Sequence, residues 1–593
     1  MFRATIFTAK PLRKIILRRQ RQVVSLGVQA EGFAERYFFK RLDRLGAVRR
    51  FVIGWLLLFV LLFGALVGQI RALSSYYQTL QPTTGGIYTE GIVGDFTNAN
   101  PLYATGPVDE SVSKLLFASL FKYDDRNHLV GDLAKDYSVD QSGKVYTVTL
   151  KPDLKWHDNQ LLTARDVVYT YHMIQNPDAQ SILYQSWQGI VVSAVNDSTI
   201  NFTLPSTLGS FPYNLTNGII PEHALVGVTA GELRSANFNT ANPVGAGPFK
   251  WDKIEVTGNS PETRQSQIAL TPSQHYNAGV PKFASFVVHA FHTKSQLTTS
   301  FKNRELTAAN FQDTPPGITA LSSTSTHSFM LSAANMVFFK QSNPVLAELA
   351  VRKALVQSAN VDSIIKSLDY PTHAVRGPFL LGQLGYDKAL LQPGFDLTAA
   401  AAMLDSAGWK PGLDGIRMKN NLPLRFTVDG QDMPESRQVA TALQKSWRSI
   451  GVQATVKLMN SQDLQRIISS HDYDALLYGI SIGIDPDVYV YWHSSQNDAR
   501  SNRLNFSEYK SKTADMALEA GRTRIDPTLR AVKYHPFLQA WQQDTPSLGL
   551  YQPRYLYLTH GTVYGLKDHI INTDTDRYDN VQNWEIRQAS VTN

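Results

Sequence analysis

The chain has no cysteine in 593 residues. That absence excludes disulfides, thiolate metal sites and a cysteine nucleophile. It also excludes a lipid anchor attached through a cysteine behind a signal segment. Charge is missing from residues 51–68, FVIGWLLLFVLLFGALVG. Acids are scarce before that run: the first 50 residues hold 13 Lys/Arg against three acids, Glu31, Glu35 and Asp43. That segment therefore carries +10 of the total +7, leaving −3 for the rest, so the basic excess belongs to the tail and not to the body. No Ser-His-Asp set and no paired carboxylates can be assembled from the sequence, which reads as a non-enzyme without a cofactor.

Eighteen uncharged residues approach the length that crosses a hydrocarbon core of about 30 Å. The basic flank keeps that end in the cytoplasm. We read 1–50 as a basic cytoplasmic tail, 51–70 as a transmembrane signal anchor and 71–85 as a polar linker. A buried core helix and a cleaved signal peptide are the alternatives. Against cleavage stand the long basic leader and the lack of a small-x-small site near Arg71-Ala72-Leu73-Ser74. Glu31 to Arg50 interleaves Phe33, Tyr37, Phe38, Leu42 and Leu45 with charges, the pattern of an interfacial helix. An arginine-rich tail beside a bilayer lies against anionic lipid. Arg18-Arg19-Gln20-Arg21 has no DNA-binding motif around it, so no nucleic-acid partner is expected.

The most informative stretch is Gly131–Tyr171. Asp140-Gln141-Ser142-Gly143 is a turn, and Val145–Leu150 is rich in β-branched and aromatic residues and reads as a strand. Lys151-Pro152-Asp153 breaks it, and Trp156–Asn159 forms a second turn. Thr163 caps a helix, with Asp166 closing a shortened capping box and Val167, Val168 and Tyr171 on one face. Residues 190–204 form a hairpin around Asn196-Asp197-Ser198. Asn242–Phe249 places Gly245 and Gly247 where the backbone approaches a neighbour closely. It is no phosphate loop, because the Lys-Ser/Thr end is missing.

These segments resemble the large extracellular solute-binding proteins of family 5, the oligopeptide, dipeptide and nickel binders of ABC importers. The 131–171 stretch is similar to that family's signature, except that Asp153 and Asn159 stand where glycine is usual. Later segments match in order: Ile219–His223, Asn242–Phe249, Asn277–Phe283, Val351–Asp362, Ala400–Trp409, Leu443–Val456 and Asp472–Ala475. The resemblance implies an α/β, two-lobe periplasmic-binding-protein-like fold with mixed sheets and an extra subdomain in the first lobe (large, class II/cluster C type), preceded by one transmembrane helix. We divide the body into 86–117 (lobe I, first part), 118–240 (extra subdomain), 241–330 (lobe I, second part), 331–555 (lobe II) and 556–593 (return to lobe I). The Ser/Thr-rich residues 310–330 are expected to hold the crossing.

The family resemblance further implies a cleft binder of peptides or similar solutes that partners ABC permease subunits and is held at the cell membrane with its binding domain outside. A ligand sensor, a binder of a metal chelate or oligosaccharide, or an enzyme on the same fold are the other readings. Two segments match the strands that flank the ligand: Thr105-Gly106-Pro107, and Tyr478, Gly479, Ser481, Ile482, Gly483 and Asp485. In peptide binders an aspartate four residues before the proline of the second segment holds the ligand's amino group, but here that position is Ile482. Asp485 or Asp487 could substitute, or the ligand is not an ordinary free peptide. Tyr184 and Trp187 are candidate cleft aromatics with core packing as their alternative, and so are Tyr489, Tyr491 and Trp492. Asp485, Asp487 and His493 fit no standard metal spacing.

Overall fold

The computed structural model describes residues 49–592, apart from 261–262, 312–313, 319–322 and 499–502, and without the side chains of 72–80 and 590–592. The expected tail, its interfacial helix and Arg18–Arg21 lie outside the described residues. The chain divides into one unit holding the N-terminal segment up to Gln81 with Gln588 onward, and a body, Pro82–Arg587.

In the first unit, helix α1 (Arg49–Tyr77) is apolar and solvent-facing along Phe51–Leu66, and residues 49–71 are long and apolar enough to cross a membrane. The expected linker is not free chain. Its backbone is helical to Tyr77, and a strand over Gln78–Thr83 pairs with Arg587–Thr592, which supplies the backbone partners a tether would leave to water.

The body opens with strand β1 (Ile87–Val93) and helix α2 (Pro107–Leu116). An inserted unit follows, with strands β2 (Ala134–Val139) and β3 (Val145–Leu150), helix α3 (Ala164–Gln175), and strands β4 (Val191–Asn196) and β5 (Thr199–Thr203). Its sheet runs β2-β3-β5-β4, all antiparallel. Thr163 and Asp166 close the capping box of α3. Asp153 and Asn159 have φ of 55° and 73°, the left-handed region where glycine is free and Asn and Asp are next best tolerated.

Next come β6 (Phe249–Thr257), β7 (Gln265–Pro272), β8 (Ser285–Phe291), β9 (Ala308–Phe311) and β10 (Thr324–Leu331). Gly245 and Gly247 both press on the Leu116 carbonyl at the end of α2, where a Cβ has no room, and Gly247 donates to that oxygen at 2.8 Å. The close approach read from the sequence is met there. His157 clamps the same loop: its Nδ1 accepts from Gly245 N–H at 3.2 Å and its Nε2 lies 3.0 Å from the Gly247 oxygen. The neutral ring with its proton on Nε2 satisfies both bonds. Burial lowers the His157 pKa from 6.5 to about 4.

After β10 the chain enters a second lobe through β11 (Ala333–Phe339), β12 (Arg425–Gln431), helix α4 (Pro434–Ser449), β13 (Gln453–Met459) and β14 (Ala475–Ser481). Helices α5 (Lys512–Arg522) and α6 (Pro527–Asp544) and strand β15 (Ser547–Tyr551) complete it. The chain then returns through β16 (Arg554–His560) and β17 (Ile570–Ile571). Lobe I is an eight-stranded sheet in the order β17-β10-β16-β9-β1-β8-β7-β6, and lobe II a five-stranded sheet in the order β13-β12-β14-β11-β15. The Ser/Thr-rich stretch expected to hold the crossing supplies β10 to the first sheet, and the crossing falls at Ser332.

That crossing is tied on three sides. Ser332 N–H donates to Ile571 O at 2.8 Å, and its hydroxyl accepts from Asn127 Nδ2 at 3.0 Å. Its carbonyl accepts from both Ile482 and Gly483. The return crossing runs beside it, with Leu331 N–H on Pro553 O and Gln552 Nε2 on Leu331 O. In lobe I, Arg577 and Glu90 form a pair with side chains 1% and 0% exposed, at 2.7 and 3.0 Å, and Tyr578 donates to the second Glu90 oxygen. This pair binds the central strand to the C-terminal segment.

Candidate functional site

The lobe II half of the site starts from strand register. β14 is antiparallel to β11, with Gly479 opposite Asn335 and Ser481 opposite Ala333. Ile482 N–H points to the β11 side, where it meets Ser332 O at 3.0 Å. Backbone groups alternate along a strand, so the N–H and C=O of Gly479 and Ser481 face the other way. On that side β12 pairs only as far as Gly430 with Leu477, then turns at Asp432-Met433 into α4. Among the described residues the edge beyond Leu477 is therefore open, apart from the Ser481 carbonyl, which accepts from Tyr491 OH at 2.7 Å. A Cβ at Gly479 would sit 2.7 Å from Asn335 Oδ1, so a side chain there would have to displace Asn335.

A cavity of about 300 Å³ fills the gap between the departing β12 and the open edge. Gln431, Glu435, Tyr478, Gly479, Tyr551 and Arg554 are among its walls. It lies at the carboxyl end of the parallel β12–β14 pair, the place where open α/β sheets bind ligands. Glu435 is in the first turn of α4, behind Pro434. Its two oxygens accept from Tyr551 OH at 2.6 Å and Tyr370 OH at 3.1 Å. Burial first, and then the charge of Glu435, push both phenols far above their usual range, so they remain donors. The Arg554 guanidinium lies 4.1 Å from the Tyr370 ring centre and pairs with Asp369 at 2.8 Å.

The 482–487 segment behaves differently from what its carboxylates suggest. The Ile482 side chain packs against the aromatic core of lobe II around Trp492 and Trp541. Gly483 has φ of 75°, and its carbonyl accepts from Gln383 Nε2 at 2.8 Å. Asp485 is not available to a ligand: Arg530 donates to both of its oxygens at 2.7 Å. The expectation that Asp485 contacts ligand is corrected by this pairing. Asp487 is also engaged, through Ser210 Oγ at 3.1 Å and Arg522 Nη2 at 3.2 Å. Burial raises its pKa, opposed by Arg522. Beside it Gly209 N–H meets Arg522 O at 2.8 Å, so these contacts join the inserted unit to lobe II. His493 pairs with Glu519 at 3.3 Å and does not converge with the two aspartates.

On lobe I, Thr105, Gly106 and Pro107 are exposed at the start of α2. Gly106 has φ of 85° and open space where a Cβ would be. The loop is held from behind by buried Asp109, which accepts from Thr97 N–H at 2.7 Å and from the Thr97 hydroxyl. A cavity of about 430 Å³ lies next to it, with Ala104, Glu110, Lys114, Leu183, Asn572 and Asp576 among its walls. Burial opposes the charge of Lys114, but Asp579, Asp576 and Asp132 together hold its pKa above the ordinary value. Trp187 is corrected as a ligand residue: it is buried in the inserted unit, its ring centre 4.1 Å from Tyr171 and 5.8 Å from Phe211. Tyr184 is half-buried and lines neither cavity, whereas its neighbours Ile182 and Leu183 line the one on lobe I.

Sequence reasoning missed Glu435, Asn335, Gln431, Lys114 and Asp576. Glu435 had a usable signal: Met433-Pro434-Glu435 has proline and an acid where helices begin.

Two lobes joined by adjacent crossings, with an open strand edge beside a cavity, define a two-lobed solute-binding protein. The chain belongs to the bacterial extracellular solute-binding proteins, family 5 Middle, whose model matches residues 128–502. It is 25% identical over 519 residues to the oligopeptide-binding protein AppA of Bacillus subtilis (strain 168), covering 85% of this chain and 92% of AppA. The solved structure of AppA from Bacillus subtilis in complex with a nonapeptide superposes with a TM-score of 0.66 at 23% identity, covering 86% of this chain and 100% of that one. NikZ from Campylobacter jejuni in complex with Ni(L-His) gives a TM-score of 0.70 at 25% identity, covering 84% and 99%. The family and these neighbours are binding proteins.

Proposed function

We propose that this protein is the extracytoplasmic binding component of an ABC importer, held at the membrane by α1 with its N-terminus in the cytoplasm. It captures peptides or related extended solutes between its lobes and delivers them to permease subunits, without catalysing a reaction. The observation that carries this reading is the open edge at Gly479–Ser481 beside a cavity. An extended ligand adds there as a further strand, and main-chain hydrogen bonds take it whatever its side chains. The relation to the oligopeptide-binding protein AppA agrees with this ligand class. Ile482 supplies no counter-charge, so the ligand's amine, where it has one, is met elsewhere or left in water.

Ligand release and mass spectrometry of the purified full chain in detergent test the proposal. A pool of peptides of related length is the expected result. A single sugar, metal chelate or lipid would overturn the peptide assignment. For the anchor, intact mass from membranes should include residues 1–70, and a chain beginning after Arg71 would refute it.

A further inference from the structure

The lobe II cavity has a charge it does not balance. Glu435 accepts two phenol hydrogen bonds, which leave its carboxylate negative with a free lone pair on each oxygen. It lies at the positive end of α4. The nearby cation, Arg554, is paired with Asp369 and stacked on Tyr370. Among the described residues no Lys, Arg or His nitrogen lies within the 4.0 Å ion-pair distance of Glu435. The same cavity contains the open edge at Gly479, so a ligand strand lying there brings a substituent to Glu435.

We propose that the Glu435 cavity is a cation subsite, taking an ammonium or guanidinium group of the bound ligand at the carboxylate. This rests on the peptide reading for the ligand's backbone, but not for its charge. The two tyrosine hydroxyls fix the carboxylate's orientation. The subsite takes over the pairing that Ile482 cannot give. Its cation comes from the ligand's amino terminus or from a Lys or Arg side chain.

Calorimetric titration of the full chain in detergent, wild type and Glu435→Gln, separates these cases. The probes are tetra-alanine, its single-Lys and single-Glu variants at each position, N-acetylated forms of all of them, and spermidine. Gln keeps an acceptor for the tyrosines and removes the charge, and a melting curve checks that the variant folds. At one position wild type should favour Lys over Glu by about tenfold or more, the usual worth of a charge-assisted bond, and Glu435→Gln should lose that preference. If the amino terminus is the source, acetylation weakens wild-type binding by a similar factor and leaves the variant unchanged. Peptides that bind wild type with no charge or acetylation preference overturn the subsite and leave the peptide reading standing. If no peptide binds while spermidine binds wild type more tightly than Glu435→Gln, the peptide reading falls and the subsite stands. Binding by neither class overturns both. Should the variant not fold, wild type alone decides, since equal affinities for the Lys and Glu peptides together with no effect of acetylation refute the subsite.

Discussion

Removing the Arg530 guanidinium strands the Asp485 carboxylate in the interior of lobe II. Both side chains are nearly enclosed, at 6% and 9% exposure, and both oxygens accept at 2.7 Å. Arg530 also lies 5.8 Å from the Tyr534 ring centre, so it packs as well as pairs. Breaking one half of such a pair costs about 3–5 kcal/mol, because the remaining charge is left buried without compensation. Arg530→Met and Asp485→Leu should each lower stability by that amount. The double variant should recover most of the loss, since two apolar side chains of similar volume carry no uncompensated charge. The assay is denaturant unfolding of the full chain for all four members of the cycle, with ligand content measured on each. The double variant should still retain ligand. Normal stability in Asp485→Leu together with lost ligand would refute the reasoning and return Asp485 to the ligand site.

Two other outcomes follow from the same structure. His157 is held neutral in the fold, with its pKa lowered to about 4 by burial, whereas the unfolded chain takes up the proton below about pH 6.5. The unfolded state therefore binds more protons between those values, and stability is lost as pH falls through that window, by about 2 kcal/mol from pH 7.5 to 5. Melting temperatures from pH 7.5 to 5 should fall more steeply in wild type than in His157→Gln, and equal slopes would count against the His157 clamp. Gly479→Val forces a branched side chain against Asn335 Oδ1 and into the cavity that both residues line. It should cost roughly 1–3 kcal/mol in stability and abolish ligand retention, while wild-type ligand content in a folded Gly479→Val protein would rule out strand addition there.

The family signature was legible because it is local. Turns, caps and alternation in 131–171 depend on neighbours in sequence, and even the two departures, Asp153 and Asn159, respect the left-handed backbone those places require. The site was legible only in outline. Tyr478–Gly483 could be located by resemblance, but its open edge depends on where β12 stops, 50 residues away in the chain. Asp485 looks like a ligand anchor until Arg530 is seen beside it, and Trp187 looks like a cleft aromatic until Tyr171, Phe202 and Phe211 surround it. Burial and pairing across long sequence distances decide such cases, and periodicity does not report them.

The order of strands in the two sheets sets an order in time. All five strands of lobe II lie between Ala333 and Tyr551, so a chain made from its amino terminus can close that sheet before lobe I is complete. Lobe I begins first and finishes last: β9 and β10 wait for β16 between them, and Glu90 waits for Arg577, which follows 487 residues later. Until then a buried carboxylate and an unpaired sheet edge stand open. Loss of the last few dozen residues would therefore damage the half of the protein built earliest, and would leave the half built in between able to form its own sheet.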